Sequence, residues 1–220
     1  MKQPDISRSQ EKQKNSRGWL ALAIILIVII ADQFLKIWIK THFYLGEEFY
    51  ITSWFRLLFI ENNGMAFGME IGSKLILTLL RILLVCFLIW YIIKIKGLRG
   101  VKTGYLVCLS LIVAGAFGNI IDCVFYGLIF NNPAPPAIAT LFPPGGGYGQ
   151  IFYGKVVDML YFPLFEWDWP SWLPIIGGEH FLFFQPIFNL ADSAITVGII
   201  VLVIFYAQQI TSPRTFRERE

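Results

Sequence analysis

Four aspartates stand inside or against apolar stretches of the chain: Asp32 in "IIADQFLK", Asp122 in "GNIIDC", Asp158 in "GKVVDMLYF" and Asp192 in "FNLADSAITVG". A charge in such surroundings is costly to keep, which makes each one a functional candidate. Two carboxylates brought together at a partly dehydrated site cannot both ionise easily and come to share a proton. One can then accept a proton from water while the other protonates the reacting carbonyl or the leaving amine. That is acid–base hydrolysis of an amide with no covalent intermediate. Asp158 and Asp192 lie 34 residues apart, a separation that permits such a pairing without requiring it.

Each polar residue also has a plainer reading. Asp32 and Lys36 are four apart with the acid first, the favourable order for a helix ion pair; anchoring or contact with a lipid headgroup is the alternative. Asp122, with Asn119 one turn before it, fits a group bonding loop backbone near a helix end. Asp192, with Asn189 three residues before it, fits a cap on a helix N-terminus, where free N–H groups and the helix dipole favour an acid. Arg81, seven residues after Lys74, fits a side chain that snorkels outward or meets a carboxylate. Other chemistries have little material: three cysteines at no metal-like spacing, two distant histidines, and no HExxH, CxxC or Walker-type loop. No metal or cofactor is expected, and nothing points to nucleic acid.

The elements that must position these residues are membrane spans. The chain is 56% hydrophobic with a mean hydropathy of +0.61, too apolar for an ordinary soluble domain of 220 residues. Four segments supply the roughly 20 apolar residues a crossing needs: about 19–39, 75–95, 105–125 and 191–209. The first lacks a small-x-small cleavage site and is expected to be retained. Twelve Lys and Arg fall in the tails (1–17 and 211–220) and the loop after the second span, against only Arg56 and Lys155 within the other two loops. Both termini are therefore expected in the cytoplasm, with 41–73 and 127–188 facing outward, in one integral membrane domain spanning 1–220. In that topology all four aspartates gather toward the outer leaflet.

The outer segments differ in character. The first, "FYLGEEFYITSWFRLLFIENNGMAFGM", is aromatic and β-branched at near-alternating spacing and predicts a short sheet at the membrane surface. The second opens with "NNPAPPAIATLFPPGGGYGQ", whose five prolines and four glycines predict an irregular loop. It continues to "FEWDWPSWLPIIGGEHFLFF", whose crowded rings favour the headgroup region. Asp158 is expected in the loop between.

Five segments, "ADQFLK" (31–36), "ENNGMAF" (61–67), "AGAFGNIIDC" (114–123), "VVDM" (156–159) and "FNLADSAITVG" (188–198), occur in the order and relation to the spans found in bacterial lipoprotein signal peptidases. The chain resembles that family, signal peptidase II, over nearly its whole architecture. The resemblance implies an all-α membrane protein of four transmembrane helices, with a small extracytoplasmic β-platform and a long outer loop. It implies an aspartic endopeptidase that cuts the signal peptide from diacylglyceryl-modified prolipoproteins just before the lipidated cysteine. Carried over by position, the catalytic dyad falls on Asp158 and Asp192. Asn62, Gly64, Asn119, Asp122, Asn189 and Ala191 match positions that support the site or touch substrate, and Asp32 and Lys36 match a structural or lipid-contacting motif. Expected partners are the prolipoprotein signal peptide, membrane lipid and inhibitors of the globomycin type, with the chain acting as a monomer in the cytoplasmic membrane.

Two departures stand out. The family usually carries arginine after the "GNxxD" aspartate, where this chain has Cys123; Arg81 is the candidate for the missing charge. The outer loop, over 127–155 and 161–185, is longer than the compact family form. Two rival classes remain: a small ion-coupled carrier would need polar groups at the midplane and usually repeat symmetry, and a scaffold without chemistry would be expected to lack one aspartate of the pair.

Overall fold

The computed structural model describes residues 6–62, 74–98, 100–183 and 185–211. Four described helices are long and apolar enough to cross a membrane: Gln13–His42, Lys74–Ile95, Thr103–Ile129 and Leu190–Thr211. They belong to α1 (Ile6–His42), α2 (Lys74–Ile95), α3 (Thr103–Ile121) with its continuation, and α5 (Leu190–Thr211). Their surfaces carry Ile27, Leu83 and Phe205, each about two-thirds exposed. Such apolar faces belong in lipid rather than water. Four apolar helices and a small antiparallel sheet are the expected architecture. The chain divides into two compact units.

The helical unit comprises residues 1–33, 70–121 and 190–220. Its most buried helix is α3, and the sequence explains how α3 meets α5. A Cβ on Gly115 would collide with the backbone carbonyl of Ala191, and one on Gly118 would stand 3.3 Å from the Ala191 Cβ. On the α5 side, a Cβ on Gly198 would stand 2.9 Å from the Cys108 carbonyl. Lipid tails are as apolar as the helices, so close approach through small residues drives their association. The "AGAFGN" run is thus a packing surface as well as a motif.

The second unit comprises residues 34–69 and 122–189. It holds a four-stranded antiparallel sheet in the order β1 (Glu48–Tyr50), β2 (Arg56–Asn62), β3 (Val156–Tyr161) and β6 (Ile187–Phe188). The first outer segment forms only half of it. β3, "VVDMLY", comes from the segment expected to be irregular, and it places Asp158 on a strand rather than in a loop. All but Leu160 of β3 are buried, so its sequence lacks the polar–apolar alternation that reveals a half-exposed strand. The rest of this unit includes a π-helical turn, Asp122–Tyr126, the single turn α4 (Gly127–Ile129), and a hairpin of β4 (Phe165–Asp168) and β5 (His180–Phe183).

Candidate active site

Asp158 is 1% exposed at the centre of the sheet. Ile60 stands opposite it on β2, after an irregularity in register between Leu57 and Ile60. Two residues on, Asn62 donates its side-chain N–H to Asp158 Oδ2. From the end of β6, the fully buried Asn189 donates to the other oxygen, Oδ1, at 2.6 Å. Two neutral amides from neighbours on opposite sides thus fix the carboxylate plane.

Asp192 lies in the first turn of α5 and is partly exposed. Its Oδ1 accepts a hydrogen bond from Asn119 of α3 at 2.7 Å. The capping role weighed for Asp192 from sequence is performed in part by another acid. Asp32 of α1, 1% exposed, accepts the Ala191 N–H through Oδ1 at 2.8 Å. A carboxylate at this position satisfies one of the orphan donors of the helix start and complements its dipole. Gln33 adds a second tie, donating to Asp32 Oδ2 and to the Gly118 carbonyl, both at 3.2 Å. Asp32, Gly118 and Ala191 together therefore seat the helix end that carries Asp192.

Two other buried carboxylates of the second unit are held by ion pairs. Lys36 Nζ lies 2.7 Å from Asp122 Oδ2, with both side chains fully buried. Lys36 and Asp32 are both buried. Farther along α1, Lys40 pairs with Glu61, and Lys155 reaches the other Glu61 oxygen at 3.1 Å. The Lys40 ammonium also faces the rings of Phe59, Phe130 and Tyr148 at 5.2–5.7 Å. Burial pushes the Tyr148 hydroxyl above the usual range, keeping it neutral; it accepts the Lys155 backbone N–H at 2.7 Å.

Lys40, Glu61 and Lys155 were not singled out from sequence, although Glu61 opens the "ENNGMAF" segment and immediately precedes Asn62. The signal was a charged residue at each end of otherwise apolar stretches. What the sequence could not supply was their meeting across separations of 21 and 94 residues. Gly64 lies outside the described residues. Arg81 lies on α2 in the helical unit and is partly exposed, while Cys123 is fully buried in the π-helical turn of the other unit.

Comparison with known proteins gives a consistent result. A family model described as signal peptidase (SPase) II matches residues 24–208. A lipoprotein signal peptidase of Porphyromonas gingivalis is 49% identical over 195 residues, 89% of this chain and 86% of that protein. One from Amoebophilus asiaticus is 35% identical over 201 residues, covering 89% and 80%. Among solved structures, a bacterial membrane enzyme determined by the in meso method at 2.3 Å resembles this chain with a TM-score of 0.59 and 25% identity. That match covers 88% of this chain and 90% of the other.

Proposed function

Because this chain belongs to the signal peptidase II family, we propose that it removes the signal peptide from diacylglyceryl-modified prolipoproteins, with Asp158 and Asp192 as the acid–base dyad. The coarser statement, a multi-pass membrane protease acting on lipoprotein signal peptides, follows from the family and the four apolar helices. The finer one rests chiefly on Asn189. This residue hydrogen-bonds Asp158 and precedes Asp192 by only three positions, or at most about 10 Å of extended chain. A residue tied to one carboxylate and nearly adjacent in sequence to the other limits how far apart the two can lie.

In the proposed reaction one carboxylate takes a proton from a water molecule as its oxygen attacks the scissile carbonyl. The other, protonated, donates to the carbonyl oxygen, and a tetrahedral gem-diol forms. Return of a proton to the leaving nitrogen then accompanies C–N cleavage, giving a new carboxyl on the signal peptide and a free amine on the lipidated cysteine. Asn62 and Asn189 would hold Asp158, and Asn119 Asp192, in fixed orientation through these steps. Burial of Asp158 keeps bulk water from its carboxylate, which strengthens each hydrogen bond it makes.

The charge asymmetry of the loops supports an active site at the outer face of the cytoplasmic membrane, with both termini inside. There a lipid-modified cysteine at the surface of the bilayer would present its bond at the depth of Asp192. An inhibitor of the globomycin type would compete for the same carboxylates, and the chain would act as a monomer. Asp158→Asn and Asp192→Asn, tested separately in proteoliposomes with a lipidated precursor, should each abolish the gel shift that marks processing. Normal processing by either folded variant would refute the dyad.

A further inference from the structure

We propose that the β4–β5 hairpin is a lipid-docking wedge whose tip, Trp172 to Ile176, inserts into the headgroup–acyl boundary of the bilayer that holds the four helices. This inference does not depend on the catalytic role of Asp158 and Asp192.

The first observation is a conformational oddity. Ile175 has a φ of +79° and is 98% exposed. A β-branched residue in the left-handed region is strained, and in water this one gains no burial in return. Trp172, three residues earlier, is 78% exposed. Together they form the outermost points of a segment, Trp169 to Gly178, that contains no ionisable side chain. Charge appears only at its base, where Asp168 and His180 face one another across the strands at 2.7 Å and Glu179 follows the turn. An uncharged tip above a charged collar is the division that a lipid interface selects.

The second observation concerns the backbone. A segment leaving water must satisfy its own peptide groups. In this turn the Leu173 N–H donates to the Pro170 carbonyl, Gly177 to Leu173, Gly178 to Trp169 and Glu179 to Ile176, all at 2.9–3.1 Å. Pro170 and Pro174 have no N–H to satisfy. Below the turn, Trp167 packs on Phe181 with ring centroids 4.4 Å apart, and Trp169 stands 5.6 and 6.0 Å from those two rings. The hairpin is thus braced by rings at its base and by four backbone hydrogen bonds across its turn. A peptide-binding surface would instead be expected to offer a groove or open strand edge.

The third observation is the tether. Phe183 ends β5 seven residues before Leu190, where the apolar helix α5 starts. That length of chain spans at most about 25 Å, so only a short linker joins the end of the hairpin to a helix apolar enough to cross a membrane. Tryptophan is a favoured residue there because its ring is apolar and its N–H can remain hydrated.

The test uses the full-length protein carrying Cys86→Ser and Ile175→Cys, since Cys108 and Cys123 are buried. An environment-sensitive fluorophore on position 175 is read in phosphatidylcholine–phosphatidylglycerol vesicles. Insertion predicts blue-shifted emission, weak quenching by aqueous iodide, and strong quenching by lipids bearing a nitroxide high on the acyl chain. Nitroxides near the bilayer centre should quench less, since interfacial elements sink about 5–10 Å. Adding Trp172→Ser and Ile176→Ser should reduce the lipid quenching while helix content stays constant. Iodide quenching equal to that of the free dye would put the tip in water and overturn the proposal. Protection from both iodide and lipid nitroxides would mean that protein covers it, from a second copy or a bound substrate, and would overturn it equally.

Discussion

Two pairs of acids in this molecule are held by different chemistry. Asp122 and Glu61 are buried against lysine ammonium groups. Asp158 and Asp192 receive amide hydrogen bonds from asparagines. An ammonium at hydrogen-bond distance offsets a carboxylate's charge. An amide fixes the direction of the oxygens without neutralising them. A group that must gain and lose a proton in each turnover suits the second arrangement, and one that must staple one element to another suits the first. Asp32 resembles the second group in its partners, and one of the hydrogen bonds it receives comes from a backbone N–H at a helix start.

The largest effect should come from removing a carboxylate of the amide-held pair. Asp158→Asn or Asp192→Asn should lower the processing rate at least about a thousandfold, in the range general acid–base catalysis supplies. Helix content and thermal unfolding should stay close to those of the parent. If either variant instead loses its fold and Asp122→Asn keeps both fold and activity, the division drawn between the two groups is reversed. Activity should also fall on both sides of a pH optimum, since the proposed mechanism needs one carboxyl protonated and the other ionised.

The ion-paired group should respond in stability first. Lys36→Met alone leaves Asp122 buried without its ammonium, a change that costs about 3–5 kcal/mol. The double variant Lys36→Met, Asp122→Leu should recover much of that loss in thermal unfolding, because two well-packed apolar side chains replace a desolvated pair at little or no cost. The activity of the recovered protein then sharpens the comparison. Restored cleavage assigns Asp122 to the scaffold; a stable but inactive protein assigns it a further role toward substrate.

Smaller losses are expected from the asparagines. Asn189→Ala and Asn119→Ala each remove a hydrogen bond to a carboxylate, worth about 1.5–3 kcal/mol. If it acts fully in the transition state, that is roughly a 10- to 100-fold drop in kcat/KM, measured on the lipidated precursor. An equal loss in the two variants would support equivalent orienting roles on the two aspartates. A change in KM alone would show that the amides act on substrate binding.

Much of this was legible in the chain before any coordinates. Twenty-residue apolar runs announce helices whatever surrounds them, and "FNLADSAITVG" marks its helix start by composition. What stayed hidden was tertiary. β3 is buried on both faces, so periodicity could not separate it from loop. The cap on α5 is contributed by Asp32, 159 residues earlier, and local capping rules look only within a turn. Trp169 to Gly178 read as an aromatic surface stretch, but the two strands that brace it became visible only through their pairing. Glu61 stood beside a recognised asparagine, yet its two lysines come from α1 and from the residue just before β3.

Arg81 gives the smallest expected effect and the sharpest test of where the missing arginine's charge comes from. At Cys123 this chain places a buried neutral side chain beside Asp122, and a buried acid still needs a cation. Lys36 supplies one at 2.7 Å from within the same unit. Lys40, four residues farther along α1, adds a second positive charge whose field also acts on Asp122. If those two carry the charge, Arg81→Ala should change processing by no more than about twofold. Lys36→Met should lower it far more. A loss of tenfold or more in folded Arg81→Ala, with Arg81→Lys restoring activity, would move the compensating charge from α1 to α2.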